Sequence, residues 1–179
     1  MPNFKNIVLT TDLSVNSRAA IPYAIELASH YHGVIHVVHV SEDTLYQSGT
    51  YADGSMGYDP EAWVDMMRDY KARKLQEYAT TIQSHPNVRI NPVLLHGYAP
   101  GEIVKFALEN EADCIIIATH GRTGLAHFFN GSVAEKVIRT SPCPVMTVRP
   151  DTIVPHNEEA EVSVKASPAI VRENTILAE

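Results

Sequence analysis

The chain has 179 residues, 45% of them hydrophobic and 20% charged, with a formal net charge of −7, which predicts one domain with an ordinary core. The negative charge argues against a nucleic-acid-binding surface, and no apolar run approaches the length of a membrane span. Two cysteines without a disulfide-like spacing, and a start that does not read as a signal peptide, predict a cytoplasmic protein.

Two apolar runs near the start predict buried strands. Residues 6–10, NIVLT, are rich in β-branched side chains, and residues 34–40, VIHVVHV, form the second run. The long segment 41–59, with Gly, Ser, Asp and three tyrosines, is typical of a functional or mobile loop. Its tyrosines either close over a ligand or pack on the loop itself.

The segment between these strands has the apolar face of a helix from about residue 17 to residue 32. If Ser17 is the N-cap, Pro22 falls just beyond the first turn, where a backbone donor is normally needed. We therefore expect a bend or a shifted helix start. Gly33 is predicted to end this helix as its C-terminal glycine.

The second half of the chain alternates helical and strand patterns. Helices are predicted at 60–84, 99–111 and 132–140, and strands at 88–96, 113–118 and 143–148. Pro92 in the third strand fits an edge position. The alternation predicts an α/β protein whose five-stranded parallel sheet is covered by helices on both faces, in three α/β/α layers.

Residues 150–179 have a different character from the predicted domain, residues 1–149. This segment holds six acidic residues against Lys165 and Arg172, so it carries −4 of the net charge. Its prolines and its short apolar runs, VSV and AIV, predict an extended or partly disordered arm.

Ligands bind parallel α/β sheets at the carboxyl ends of the strands, near the point where the strand order reverses. The candidate site is therefore built by three loops. They are Thr11–Ser14, the 41–59 segment, and the stretch ATHGRTGLAHFFNGS after the fourth strand.

That stretch has two interpretations. Gly121 and Gly131 would let the backbone approach a phosphate, Ser132 adds a hydroxyl and Arg122 a cation, all before a helix N-terminus. Alternatively, Ser132 and Glu135 match a capping box, which needs no ligand. The residues alone leave both open.

The chain resembles a universal stress protein of the nucleotide-binding type over residues 3–149. The family signature is Gly-x2-Gly-x9-Gly-Ser/Thr, and here Ala118 stands where the signature has its first glycine, followed by Gly121 and Gly131-Ser132. An alanine at that position still exposes its amide. The resemblance implies a Rossmann-like, adenine nucleotide alpha hydrolase-like fold with strand order 3-2-1-4-5.

The resemblance also implies that the chain binds ATP, or AMP or ADP, with Mg²⁺ as a further component. Asp12 would approach the adenosine end, although Asp is also a common turn residue. Val40 would offer its backbone to the adenine, and His120 either positions its loop or makes only a local hydrogen bond. The predicted nucleotide-binding residues are Thr11, Asp12, Val40, Ala118, His120, Gly121, Arg122, Gly131, Ser132 and Val133.

For the function, the resemblance implies a regulatory protein of the stress response that forms a homodimer through its last strand, about Pro144–Arg149. Two alternatives stay open: a nucleotide-free interaction module and a slow ATP hydrolase. The P-loop pattern with its lysine is absent, and no paired base and nucleophile stand out, so the residues do not require catalysis. His36 and His39 have opposite parity on a strand, so a shared metal ion is not expected.

Overall fold

Strands and helices alternate along the chain in the predicted order. The computed structural model describes residues 3–42, 60–82, 88–119, 133–150 and 170–171, with backbone alone at 60–61 and 170–171. The strands are β1 (Asn6–Thr10), β2 (Val34–Ser41), β3 (Arg89–His96), β4 (Cys114–Ala118), β5 (Val145–Val148) and β6 (Ile170–Val171). The helices are α1 (Ile21–Tyr31), α2 (Pro60–Thr80), α3 (Ala99–Glu109) and α4 (Val133–Thr140).

All the described strands pair in parallel, in the spatial order β5-β4-β1-β2-β3-β6. The first five strands therefore have the predicted order 3-2-1-4-5. The order reverses between β1 and β4, because the chain moves outward from β1 in one direction and returns to start β4 on its other side. Of the described helices, none combines the length and the apolar character that crossing a membrane would require.

Both faces of the sheet are buried, which explains why the strands are apolar throughout. On one face, Ile7 and Leu9 of β1 pack in a cluster with Ile25 of α1 and Leu75 of α2. On the other face, Val8 of β1 belongs to a cluster with residues of α3 and α4, among them Ile103, Phe106 and Val137. Strand side chains alternate between faces, so neighbours in sequence enter different clusters.

The entry to α1 follows the expectation of a shifted helix start. A 3₁₀ turn covers Asn16–Ala20, and the α-helix begins only at Ile21. Pro22 then lies within the first helical turn, where its missing N–H removes no intrahelical hydrogen bond.

The prediction for Gly33 is wrong in its conformation. The left-handed residue at the end of α1 is His32, with φ 53° and ψ 41°, and the Gly33 amide donates to the Ala28 carbonyl at 2.9 Å. Glycine is needed at 33 for space: a Cβ there would lie 2.8 Å from the carbonyl oxygens of Phe4 and Lys5. The backbone leading into β1 passes directly over this position.

The two cysteines are free thiols on opposite faces of the sheet. Cys114 is buried in the cluster of the α1 and α2 face, and Cys143 packs, partly buried, on the cluster of the α3 and α4 face. Burial raises the pKa of the Cys114 thiol to about 11 and also raises the pKa of Cys143. Both groups therefore stay neutral near pH 7, as buried structural thiols do.

The C-terminal arm contributes one element that the sequence did not predict. Ile170–Val171 forms β6, which pairs in parallel with Val93 and Leu94 of β3. In the five-stranded sheet β3 is an edge strand, as the position of Pro92 suggested, and β6 pairs only beyond that proline.

Candidate functional site

A notch opens at the carboxyl edge of the sheet because β1 ends before its neighbours. The last register pair between β1 and β2 is Thr10 with Val38, and β2 continues for three residues to Ser41. The last pair between β1 and β4 is Leu9 with Ile116, and β4 continues for two residues to Ala118. The notch lies where the strand order reverses, the position at which such sheets bind ligands.

Thr11 forms the floor of the notch, and every one of its polar groups is bonded. Its amide donates to the Val38 carbonyl at 2.9 Å, and its Oγ1 accepts from the Leu13 amide at 2.9 Å. His39 Nδ1 lies 2.9 Å from the Thr11 carbonyl oxygen, so that ring nitrogen carries the proton and donates. The loop is therefore held to β2 as well as to β1.

Asp12 shapes the turn that follows. Its Oδ1 accepts from the Ser14 amide at 3.0 Å, an Asx turn, and Leu13 between them has φ 64°. The turn role proposed from sequence is therefore present in the structure. It holds the Asp12 carboxylate at the end of β1, beside the notch.

A buried hydroxyl cluster supports this floor from the α1 and α2 face. Ser17 Oγ lies 2.8 Å from Thr11 Oγ1, 2.8 Å from the Ser14 carbonyl oxygen and 3.3 Å from the Tyr78 hydroxyl. Ser17 is 4% exposed and Tyr78 2% exposed, and the Arg18 guanidinium lies 5.6 Å from the Tyr78 ring centroid. Burial raises the pKa of the Tyr78 phenol, so it remains a neutral hydroxyl.

Sequence reasoning missed this cluster as a part of the site. The sequence pattern indicates only a helix-cap role for Ser17, and Tyr78 lies 61 residues further along the chain on a helix without a marked pattern. The parity of β2 was the one usable signal, since it places His39 on the face opposite His36. The structure confirms that parity: His36 contacts Asn91 Nδ2 at 3.0 Å and the Phe106 ring at 5.5 Å between centroids.

The end of β2 is tied to two helices. Lys71 Nζ of α2 donates to Ser41 Oγ, and Ser41 is 2% exposed. Glu42 Oε1 accepts from the Ala99 amide at the start of α3, at 2.8 Å. The predicted adenine contact, Val40, lies in this fixed segment, beyond the last register pair with β1.

On the other side of the notch, Ala118 is the last residue of β4, and the amide of Thr119 donates to the Val148 carbonyl at 2.9 Å. Among the described residues, the non-glycine positions with positive φ do not include Ala118, so its backbone conformation does not call for glycine. Val133 is the first residue of α4, and the buried side chains of this helix are Ala134 and Val137.

The remaining predicted site residues lie outside the described residues. These are His120, Gly121, Arg122, Gly131 and Ser132. The structure thus brings Thr11, Asp12 and Val40 to one side of the notch and Ala118 to the other, with Val133 beginning the helix that follows. Over the part of the chain that the structure describes, no three His, Cys, Asp or Glu side chains come close enough to hold a metal ion.

The sheet order and the notch at its reversal point define a doubly wound α/β protein of a nucleotide-binding fold class. The chain belongs to the universal stress protein family, whose model matches residues 3–149. It is 32% identical over 146 residues to universal stress protein MJ0531 of Methanocaldococcus jannaschii, covering 82% of each chain. It is 26% identical to universal stress protein YxiE of Bacillus subtilis, over 82% of this chain and 99% of that one.

Solved structures show the same fold. The hypothetical protein MJ0577 superposes with a TM-score of 0.68 at 22% identity, over 82% of this chain and 96% of that one. A universal stress protein in complex with cAMP gives 0.59 at 20% identity, over 82% and 98%. One from Archaeoglobus fulgidus in complex with dAMP gives 0.55 at 23% identity, over 83% and 99%.

Proposed function

We propose that this universal stress protein binds ATP, or AMP or ADP, in the notch above β1 and uses the nucleotide as a regulatory ligand in the stress response. The observation that carries the proposal is the early end of β1, which leaves a gap between β2 and β4 with a rigid floor at Thr11. The complexes of relatives with cAMP and dAMP support an adenine nucleotide as the ligand.

The residues around the notch fit the parts of such a ligand. The Asp12 carboxylate suits ribose hydroxyls, which donate to it, and the backbone edge of β2 near Val40 suits the polar edge of an adenine. In this proposal the phosphates extend toward α4, where Gly121, Arg122, Gly131 and Ser132 supply amides, a cation and a hydroxyl.

Magnesium would enter this site together with the triphosphate. Mg²⁺ keeps several waters and is usually bound by one or two carboxylates plus substrate phosphates. Asp12 is the carboxylate at the floor of the notch, so most ligands of the ion would be phosphate oxygens and water. We therefore propose Mg²⁺ as a companion of ATP rather than as a resident metal.

Asp12→Asn separates the ligand role of Asp12 from its turn role. Asparagine keeps the oxygen that accepts from the Ser14 amide, so the turn and the stability should be retained. It removes the charge, and hydrogen bonds to a charged group are worth about 1.5–3 kcal/mol, so ATP affinity should fall roughly 10- to 100-fold. Isothermal titration calorimetry with ATP, ADP, AMP and cAMP measures the change.

Asp113→Asn is the matched control. Asp113 directly precedes β4, at the amino ends of the strands and away from the notch at their carboxyl ends. Asp113 Oδ2 accepts from the amides of Lys5 and Asn6 at 2.8 and 2.7 Å, and asparagine keeps one oxygen that can accept from both, so this variant should retain its stability and leave nucleotide affinity unchanged. Equal ATP affinities of Asp12→Asn and the natural chain would show that Asp12 is not part of the site.

The same titrations separate the alternative functions. No binding of any nucleotide by the natural chain would favour a nucleotide-free interaction module, and turnover of bound ATP would favour a slow hydrolase.

We further propose a cytoplasmic homodimer that pairs through β5. This strand bonds to β4 on one side and forms one edge of the described sheet, and an edge strand of this kind tends to pair with another chain. Light scattering should give twice the chain mass of 19.8 kDa, and Thr147→Lys, which places like charges across a two-fold axis, should reduce it to one chain. A mass of one chain for the natural protein would contradict the dimer. The free thiols, one buried and one partly buried, agree with the proposed cytoplasmic location, a reducing compartment.

A further inference from the structure

The edge of the sheet opposite β5 carries a short strand from the C-terminal arm. Ile170 pairs with Val93, and Val171 pairs with Leu94. The same register continues across the sheet, from Val93 to Val38 of β2 and from Val38 to Thr10 of β1. Ile170 of the arm therefore lies in the same row of register partners as the central strand β1.

The available edge of β3 is short and strongly apolar. Val93, Leu94 and Leu95 are 1%, 0% and 6% exposed. Before them, Pro92 has no N–H and cannot donate to a further strand. After them, the strand ends at His96, and Gly97 turns the chain with φ 125°. The part of this edge between Pro92 and the turn is therefore short, and the two-residue strand β6 pairs within it.

We infer that the β3 edge at Val93–Leu95 is a docking surface for a short extended apolar segment, and that residues 170–171 of the same chain occupy it as a releasable strand. Extended peptides bind sheet edges in this way, with affinity from backbone hydrogen bonds. A strand of two residues makes few such bonds, so β6 can detach from β3 or be displaced by a competing segment. The inference is independent of nucleotide binding.

The length of the connection allows the arm to dock on its own domain. The 21 residues between Val148 and Ile170 separate two strands at opposite edges of the sheet. Five strand spacings of about 4.8 Å give about 24 Å to cross. An extended chain of that many residues reaches up to about 70 Å, so the arm has ample slack.

The test uses hydrogen–deuterium exchange of the full chain. In the double variant Ile170→Pro/Val171→Pro, the arm loses both amides that could donate to β3, and the proline rings disfavour strand pairing, so the arm should no longer dock and its carbonyls should no longer accept from β3 amides. We expect the β3 amides that face the arm, within Val93–Leu95, to exchange at least tenfold faster than in the natural chain. Amides of β1 should be unchanged.

The matched control is Val162→Pro/Val164→Pro, which places the same change in the other apolar run of the arm and should leave β3 exchange as it is. A synthetic peptide with the sequence SPAIVRE, added in excess to the Ile170→Pro/Val171→Pro chain, should slow β3 exchange again. If the double variant also loosens β1, the single Ile170→Pro variant replaces it, since one ladder position then remains.

Two results would overturn the inference. Equal β3 exchange in the natural chain and in the proline variant would show that the arm does not protect this edge. Protection of β3 in the natural chain that falls on dilution would assign the docked strand to a second copy instead of the same chain.

Discussion

Gly33→Ala should destabilise the protein by about 1–3 kcal/mol, the usual cost of forcing extra atoms into a packed region. The added Cβ would lie 2.8 Å from the carbonyl oxygens of Phe4 and Lys5. Both atoms belong to backbone, and the Lys5 carbonyl also accepts from the Val34 amide at 2.7 Å. Neither can rotate away as a side chain would, so the start of β1 or of β2 has to move.

Urea unfolding followed by circular dichroism measures this cost, with Gly101→Ala as the matched control. Gly101 lies inside α3, and a Cβ there would meet only Tyr98 Cδ1 at 3.5 Å, an ordinary contact. Alanine is favoured over glycine in a helix by about 1 kcal/mol, so the control should be neutral or slightly stabilising. Equal effects of the two substitutions would mean that crowding at Gly33 is not what selects glycine.

Ser17→Ala should lower both the stability and the nucleotide affinity of the protein. The substitution leaves the hydroxyls of Thr11 and Tyr78 buried with one partner fewer, at a cost of about 1–3 kcal/mol. Because Thr11 forms the floor of the proposed site, the turn at Asp12 also loses its support. If about half of the cost falls on the bound conformation, about 0.5–1.5 kcal/mol, ATP affinity should drop roughly 2- to 12-fold.

Tyr78→Phe serves as the companion variant, because it removes the phenol hydroxyl and keeps the ring beneath Arg18. It should cost about 1 kcal/mol or less in stability. The double variant Ser17→Ala/Tyr78→Phe should cost less than the sum of the two, since both hydroxyls belong to one contact. Strict additivity, or an unchanged ATP affinity in Ser17→Ala, would exclude the cluster as a support of the site.

The fold was largely readable from the sequence because each strand pattern is local. NIVLT and CIIIA are short apolar runs rich in β-branched residues, which favour strands buried on both faces, and their alternation with helical patterns predicts the parallel sheet. The shifted start of α1 followed from the position of Pro22, whereas the 3₁₀ turn before it did not. Gly33 was misread because its role depends on the distance to Phe4 and Lys5, which no local pattern encodes.

The site was less predictable than the fold for the same reason. Asp12 stands at a strand end, where parallel sheets bind ligands, and Val40 was implied by the family resemblance; the roles of both stay predictions. His39 and Tyr78 act through contacts with Thr11 and Ser17, which lie 28 and 61 positions away, so the parity of β2 gives the face of His39 but not its partner, and no pattern identifies Tyr78. The strand β6 escaped prediction because a two-residue run carries no periodicity, and its partner lies 77 positions earlier in the register of Val93 with Ile170.

The pairing of β6 with β3 has a consequence for how large an assembly of this protein can grow. A parallel sheet with two open edges can add copies at both ends and lengthen into a ribbon without limit. Here the edge beyond β3 is the very short strand β6, which pairs over two residues, while β5 forms the other edge of the described sheet. In the dimer proposed through β5, both outer edges would carry this very short strand, one of the ways in which native sheets avoid adding further copies.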